Sequence, residues 1–140
     1  MDLVFFNASV VLAGFKSPKG GSGKILSWAK KRKIKGFISE IILDEVLRNA
    51  SKIGFDKFVL ERKIKEIFQI EVAPEEGIVN YYGNIVIYFG DAHVLASSEQ
   101  SKVDYLVSLD QKHILVLKDK LRIFKIVTPG DLIQQLRRKK

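Results

Sequence analysis

The stretch Leu3-Val-Phe-Phe-Asn-Ala-Ser-Val10 decides the fold. Its first four residues are apolar without alternation, the pattern of a strand buried on both faces inside a parallel sheet covered by helices. An amide, Asn7, closes that strand, and small residues follow it. The same construction returns in Asp104-Tyr-Leu-Val-Ser-Leu-Asp110, where a strand over Tyr105–Leu109 ends in a carboxylate. Phe37–Ile38, Gln69–Ala73 (stopped by Pro74) and Arg122–Val127 read as further strands.

Helical spacing fills the intervals. Ile25–Lys33 places Ile25, Leu26, Trp28 and Ala29 inward and its lysines outward, with Gly36 as the stop. Ser39 is positioned to cap a helix that carries Glu45. Between Phe55 and Phe68, Leu60, Ile64, Ile67 and Phe68 share one face. Asp91–Glu99 reads as helix, and Thr128-Pro-Gly-Asp131 opens the last one, with Thr128 as cap and Pro129 at the first helical position. Phe15-Lys-Ser-Pro-Lys-Gly-Gly-Ser-Gly-Lys24 reads as a loop rich in turn residues. Tyr81–Phe89 stays open between strand and helix or loop. Strands alternating with helices predict an α/β fold with a mostly parallel sheet. With 140 residues, no internal repeat and no linker, residues 1–140 are expected to form a single domain.

The charge balance points to a polyanionic partner. Lys and Arg number 24 against 16 Asp and Glu, a net charge of +8, and such an excess attracts nucleic acid at long range. The chain has no cysteine, which excludes disulfides and thiolate metal sites. No apolar run approaches the roughly 20 residues of a membrane span. Met1-Asp2-Leu3 lacks a basic leader, so the expected location is the cytoplasm, with no membrane association.

Three acids and the amide stand where strands and helices of such a sheet should end: Asn7, Glu45, Asp91 and Asp110. Each alone has an ordinary structural use, Asp91 as a helix cap and Asp110 as the start of a turn. Gathered at one sheet edge, carboxylates from distant parts of a chain are what a hard divalent cation needs. In open α/β sheets, functional groups collect beyond the carboxyl ends of the strands.

The motifs, taken in order, resemble the PIN domain family of nucleases over nearly the whole chain. Phe5-Phe-Asn-Ala-Ser-Val10 is similar to the family's opening strand, Ser39 with Glu45 to its second motif, Asp91-Ala-His-Val-Leu-Ala96 to its third and Asp104–Asp110 to its fourth. Ile126-Val-Thr-Pro-Gly-Asp-Leu132 matches its closing strand and turn. The resemblance is to the single-domain prokaryotic, VapC-like toxin type. It implies a three-layer α/β/α sandwich and a metal-dependent endoribonuclease, the toxin of a toxin–antitoxin pair. It further implies Mg²⁺ or Mn²⁺ held by Asn7, Glu45, Asp91 and Asp110, with Ser9 and Ser108 behind them. RNA is the expected substrate, held at the rim by Lys16, Lys19 and Lys24. A small antitoxin and a homodimer are the expected protein partners, the latter through the apolar Ile85–Phe89 stretch. With two histidines in all, a His-based metal site is not expected, and His93 is read as structural.

Asn7 departs from the family, which has Asp there. An amide offers a carbonyl oxygen without charge and donates through its NH₂ group. Either the protein is a naturally impaired member or the residue is a deliberate Asp→Asn change. The alternative to a nuclease is therefore a catalytically impaired RNA-binding or regulatory module. A phosphoacceptor receiver domain fails because no pair of acids follows the first strand. Gly20-Gly-Ser-Gly-Lys24 resembles a nucleotide-binding loop, but Pro18 and Ile25 occupy positions that require Gly and Ser or Thr.

Overall fold

A computed structural model describes residues 1–139. Five strands, β1 (Leu3–Phe6), β2 (Lys35–Ser39), β3 (Phe68–Glu71), β4 (Tyr105–Val107) and β5 (Lys125–Val127), form one sheet in the order β3-β2-β1-β4-β5, every pair parallel. Among the described residues, six α-helices lie between the strands, α1 (Ala8–Lys16), α2 (Gly21–Lys30), α3 (Glu40–Arg48), α4 (Lys57–Ile67), α5 (Glu76–Gly83) and α6 (Ala92–Gln100), and α7 (Pro129–Arg138) follows β5. Helices α1, α2, α3, α4 and α7 pack on one another as one layer, and α5 packs on α6 as the other. This is the expected α/β/α sandwich. Among the described residues, no helix is long and apolar enough to cross a membrane.

The central strand behaves as its composition requires. Val4, Phe5 and Phe6 are wholly buried, and the helix layers account for both sides. Gly36, expected as a helix stop, lies instead within β2, paired with Val4 and Phe68. A Cβ there would press on the Phe68 ring at 2.9 Å. Its absence lets Phe6 and Phe68 meet edge to face at 4.9 Å between their centroids across β2.

The glycine-rich loop is also shorter than its composition suggests. α1 runs to Lys16 and α2 begins at Gly21, so Gly21-Ser-Gly-Lys24 is the first turn of a helix. Packing overrides propensity here: a side chain at Gly14 would overlap Leu26, and one at Gly23 would overlap the Pro18 backbone. Past α2, Arg32 adopts a left-handed φ of 62° and its guanidinium donates to the carbonyls of Ile67 (2.8 Å) and Glu66 (3.1 Å). It thereby satisfies the open end of α4 and joins two crossovers.

Ser39 and Thr128 cap as expected, accepting from the N–H groups of Ile42 and Asp131. Residues 81–89 resolve into the end of α5 and a turn. Tyr82 is fully buried and its hydroxyl donates to Glu99 at 2.7 Å, which ties α5 to α6. Ile85 and Val86 pack on the core, whereas Ile87, Tyr88 and Phe89 are 67%, 64% and 59% exposed, which excludes a single buried strand.

Candidate metal centre

The chain leaves β1 toward β2 and β3 on one side and returns to β4 and β5 on the other, so the strand order reverses between β1 and β4. A crevice at the carboxyl ends of the strands opens at such a reversal. Asn7 stands there at the end of β1. Its backbone N–H donates to the Val107 carbonyl at 3.0 Å, extending the ladder one residue past the strand. Its Oδ1 accepts the Ala8 N–H at 2.9 Å and caps α1, and its Nδ2 donates to Ser108 Oγ at 2.9 Å. Ser108, fully buried, also accepts the Asp110 N–H at 3.0 Å. Ser9 Oγ accepts the Leu109 N–H at 3.3 Å. Both serines thus fasten the turn after β4 to the start of α1.

That turn carries Asp110. Its Oδ1 accepts the His113 N–H at 3.0 Å, while its Oδ2 lies 3.2 Å from His113 Nδ1. Asp91 arrives from the opposite layer, just ahead of α6. It makes no capping bond, so its expected structural use is absent, and its Oδ2 is buried with no hydrogen-bond partner. Asp91, Asp110 and His113 each present a ligating atom, all within 4.8 Å of one another. Glu45, half-buried on α3, stands outside that trio but feels its charge. Burial raises the Glu45 carboxyl above the usual range, Arg48 opposes the rise, and the Asp91 carboxylate adds to it. Asp91 is raised as well, by burial first and then by Asp110, with His113 opposing. Acids that disfavour each other's ionisation and a buried carboxylate oxygen with no donor fit a divalent cation.

Of the residues read from the sequence, Asn7, Ser108 and Asp110 are joined by hydrogen bonds, and Asp91 and Glu45 by their electrostatics. Lys16, Lys19 and Lys24 are exposed around the α1–α2 turn. Lys16 is a whole α1 away from Asn7, on the order of 13 Å at the rise of an α-helix. Lys24 lies over the Trp28 ring at 5.9 Å. His93 is outside the acidic trio; its Nδ1 has no partner and burial lowers its pKa. His113 is the site residue that sequence reasoning missed. The available signal was its place three residues after Asp110, within reach of that carboxylate once the chain turns.

The PIN domain family model matches residues 3–112. No curated protein matches the sequence. Among solved structures, the fold is similar to a chain of VapBC2 from Rickettsia felis, a structure bound to a DNA fragment from their promoter. That likeness has a TM-score of 0.63 at 14% identity and covers 90% of this chain and 98% of the other. PAE2754 from Pyrobaculum aerophilum is similar with a TM-score of 0.62 at 19% identity, covering 97% and 90% of the two chains.

Proposed function

The chain belongs to the PIN domain family, and on that premise we propose that it is a divalent-metal-dependent endoribonuclease, the toxin of a toxin–antitoxin pair, with activity lowered by Asn7. The observation that carries this reading is the pair Asp91 and Asp110 facing each other at the reversal of strand order, with a buried Asp91 oxygen that lacks any donor. Asp91, Asp110 and Glu45 would hold the ion, with Asn7 Oδ1 as a neutral oxygen beside them. When bound, Mg²⁺ or Mn²⁺ supplies Lewis-acid polarisation of the phosphodiester and a lowered pKa for the attacking water.

The protein's own contribution is positioning and charge. Ser108 and Ser9 hold the turn that aims Asp110. Burial and the neighbouring acids disfavour the charged forms of Glu45 and Asp91, a repulsion that a bound cation would relieve. The basic surface, including Lys16, Lys19 and Lys24, holds RNA by its phosphates with little sequence preference. The proposed setting is the cytoplasm, where one PIN domain acts as a homodimer and is neutralised by a small antitoxin. The fold likeness to a chain of VapBC2 supports the antitoxin partner.

A second reading, an RNA-binding module with impaired catalysis, is favoured by one observation: both polar atoms of the Asn7 side chain are committed to hydrogen bonds within the protein. Cleavage of a broad RNA panel with Mg²⁺, Mn²⁺ and EDTA, beside Asp110→Asn, separates the two. Metal-dependent cleavage that Asp110→Asn abolishes supports the nuclease. RNA binding without cleavage, in this chain and in Asn7→Asp alike, supports the module.

A further inference from the structure

We propose that His113 is a direct ligand of the divalent ion, supplementing the uncharged oxygen of Asn7, and that it turns the site toward Mn²⁺ over Mg²⁺. This rests on the nuclease reading above and adds a ligand to those assigned there.

The argument starts from what Asn7 can still offer. Its Oδ1 already accepts the Ala8 N–H at 2.9 Å and its Nδ2 donates to Ser108, so the amide brings no charge and only an oxygen that is already hydrogen-bonded. The ligating atoms that do converge belong to Asp91, Asp110 and His113, within 4.8 Å of one another. His113 Nδ1 and Asp110 Oδ2 are 3.2 Å apart. Two adjacent ligands at roughly 2.1 Å from one ion stand about 3 Å from each other, so this pair already has the spacing of neighbouring ligands. The backbone bond from His113 N–H to Asp110 Oδ1 at 3.0 Å holds the two residues in that relation. Asp91 offers the third ligating atom, and its Oδ2 is buried with no hydrogen-bond partner.

Ligand chemistry then sets the preference. Mg²⁺ selects oxygen and gives up its waters reluctantly, whereas imidazole nitrogen suits transition ions. Adding one imidazole to the carboxylates is therefore expected to raise affinity for Mn²⁺ more than for Mg²⁺. His93 is the internal control, since its nitrogens lie outside the trio and the chain has only two histidines.

The test is pulsed electron paramagnetic resonance of Mn²⁺ bound to the untagged chain, with calorimetric titration of Mn²⁺ and Mg²⁺. The expected result is a directly bound imidazole nitrogen in the wild-type chain and in His93→Gln, absent in His113→Gln and His113→Ala. Mn²⁺ affinity should fall about tenfold in the His113 variants, with Mg²⁺ affinity changing less than about threefold. Should the His113 variants fail to fold, His93→Gln decides alone, because His113 is then the sole imidazole. Mn²⁺ that binds and is lost in Asp110→Asn, yet shows no nitrogen, overturns the role of His113 and leaves the metal centre standing. No Mn²⁺ binding at millimolar concentration overturns both.

Discussion

Asn7 Nδ2 donates to Ser108 Oγ at 2.9 Å, a bond between residues 101 apart in sequence that spans the reversal point of the sheet. Ser108 Oγ receives the Asp110 N–H at 3.0 Å as well, so one hydroxyl connects the end of β1 to the acid beyond β4. The direction of the bond depends on the amide. A carboxylate at position 7 has no N–H to give, and the Ser108 hydroxyl would have to turn and donate its own proton. Position 7 therefore controls both the charge of the pocket and the orientation of its supporting serine.

Asn7→Asp is expected to destabilise the metal-free protein by about 1–2 kcal/mol near neutral pH, through repulsion from Asp91 and Asp110. The same change is expected to enlarge the stabilisation by Mn²⁺ and to raise RNA cleavage by at least about tenfold. Thermal melts with and without metal, beside a cleavage assay, check both signs. Equal cleavage by the two forms would show that position 7 is not a working ligand.

Stability of the metal-free protein should depend on pH through Glu45 and Asp91. Both carboxyls are raised in the folded state by burial, with further help from neighbouring acids. A raised carboxyl favours the fold below its unfolded value, and that contribution is lost as pH rises through the folded value. Melting temperature is thus expected to fall as pH climbs through the upper carboxylate range, and less steeply in Asp91→Asn. Parallel curves for the two proteins would contradict the arrangement.

Gly23→Ala is expected to cost about 1–3 kcal/mol, since the added methyl meets the Pro18 backbone rather than a flexible side chain. Gly77→Ala, where nothing lies within 4 Å of the added carbon, is the comparison and should be near neutral or slightly stabilising. Denaturant titration measures both.

RNA affinity should weaken steeply with salt. Lys19→Ala and Lys24→Ala, if those lysines hold phosphates, should each lower the slope of log affinity against log salt by about 1. Unchanged slopes in both variants would move the RNA path away from the α1–α2 turn.

Ile87, Tyr88 and Phe89 are the exposed apolar residues of the segment proposed for self-association. Ile87→Glu with Phe89→Glu is expected to convert a dimer to a monomer in sedimentation velocity without lowering the melting temperature of the fold by more than a few degrees. A wild-type chain already monomeric at high micromolar concentration would remove this interface.

Much of the fold was legible because its signals are local. The uninterrupted apolar run of β1, the Ser39 and Thr128 caps, and the buried face of Leu60, Ile64 and Ile67 each depend on neighbours within a turn or two. The start of α2 is illegible locally for the opposite reason. Glycines signal a loop by propensity, but Gly14 and Gly23 serve close contacts with Leu26 and Pro18 that only the packed helices create. Gly36 reads locally as a helix stop because nothing near it in sequence shows that Phe68, from a strand more than thirty residues on, lies against it.

The candidate site divides in the same way. Which side chains bring charge to the strand ends can be read in order along the chain, from residue type and strand pattern. How they meet depends on the packed fold. The crossover from β3 to β4 swings Asp91 onto the far layer and back against Asp110, leaving an oxygen buried without a donor. The turn after β4 folds His113 onto that same carboxylate, and the amide of Asn7 is absorbed into a cap and a serine bond. Convergence of this kind is set by long-range packing and chain reversal, whose energies are distributed over the whole core and leave no mark on the few residues they bring together.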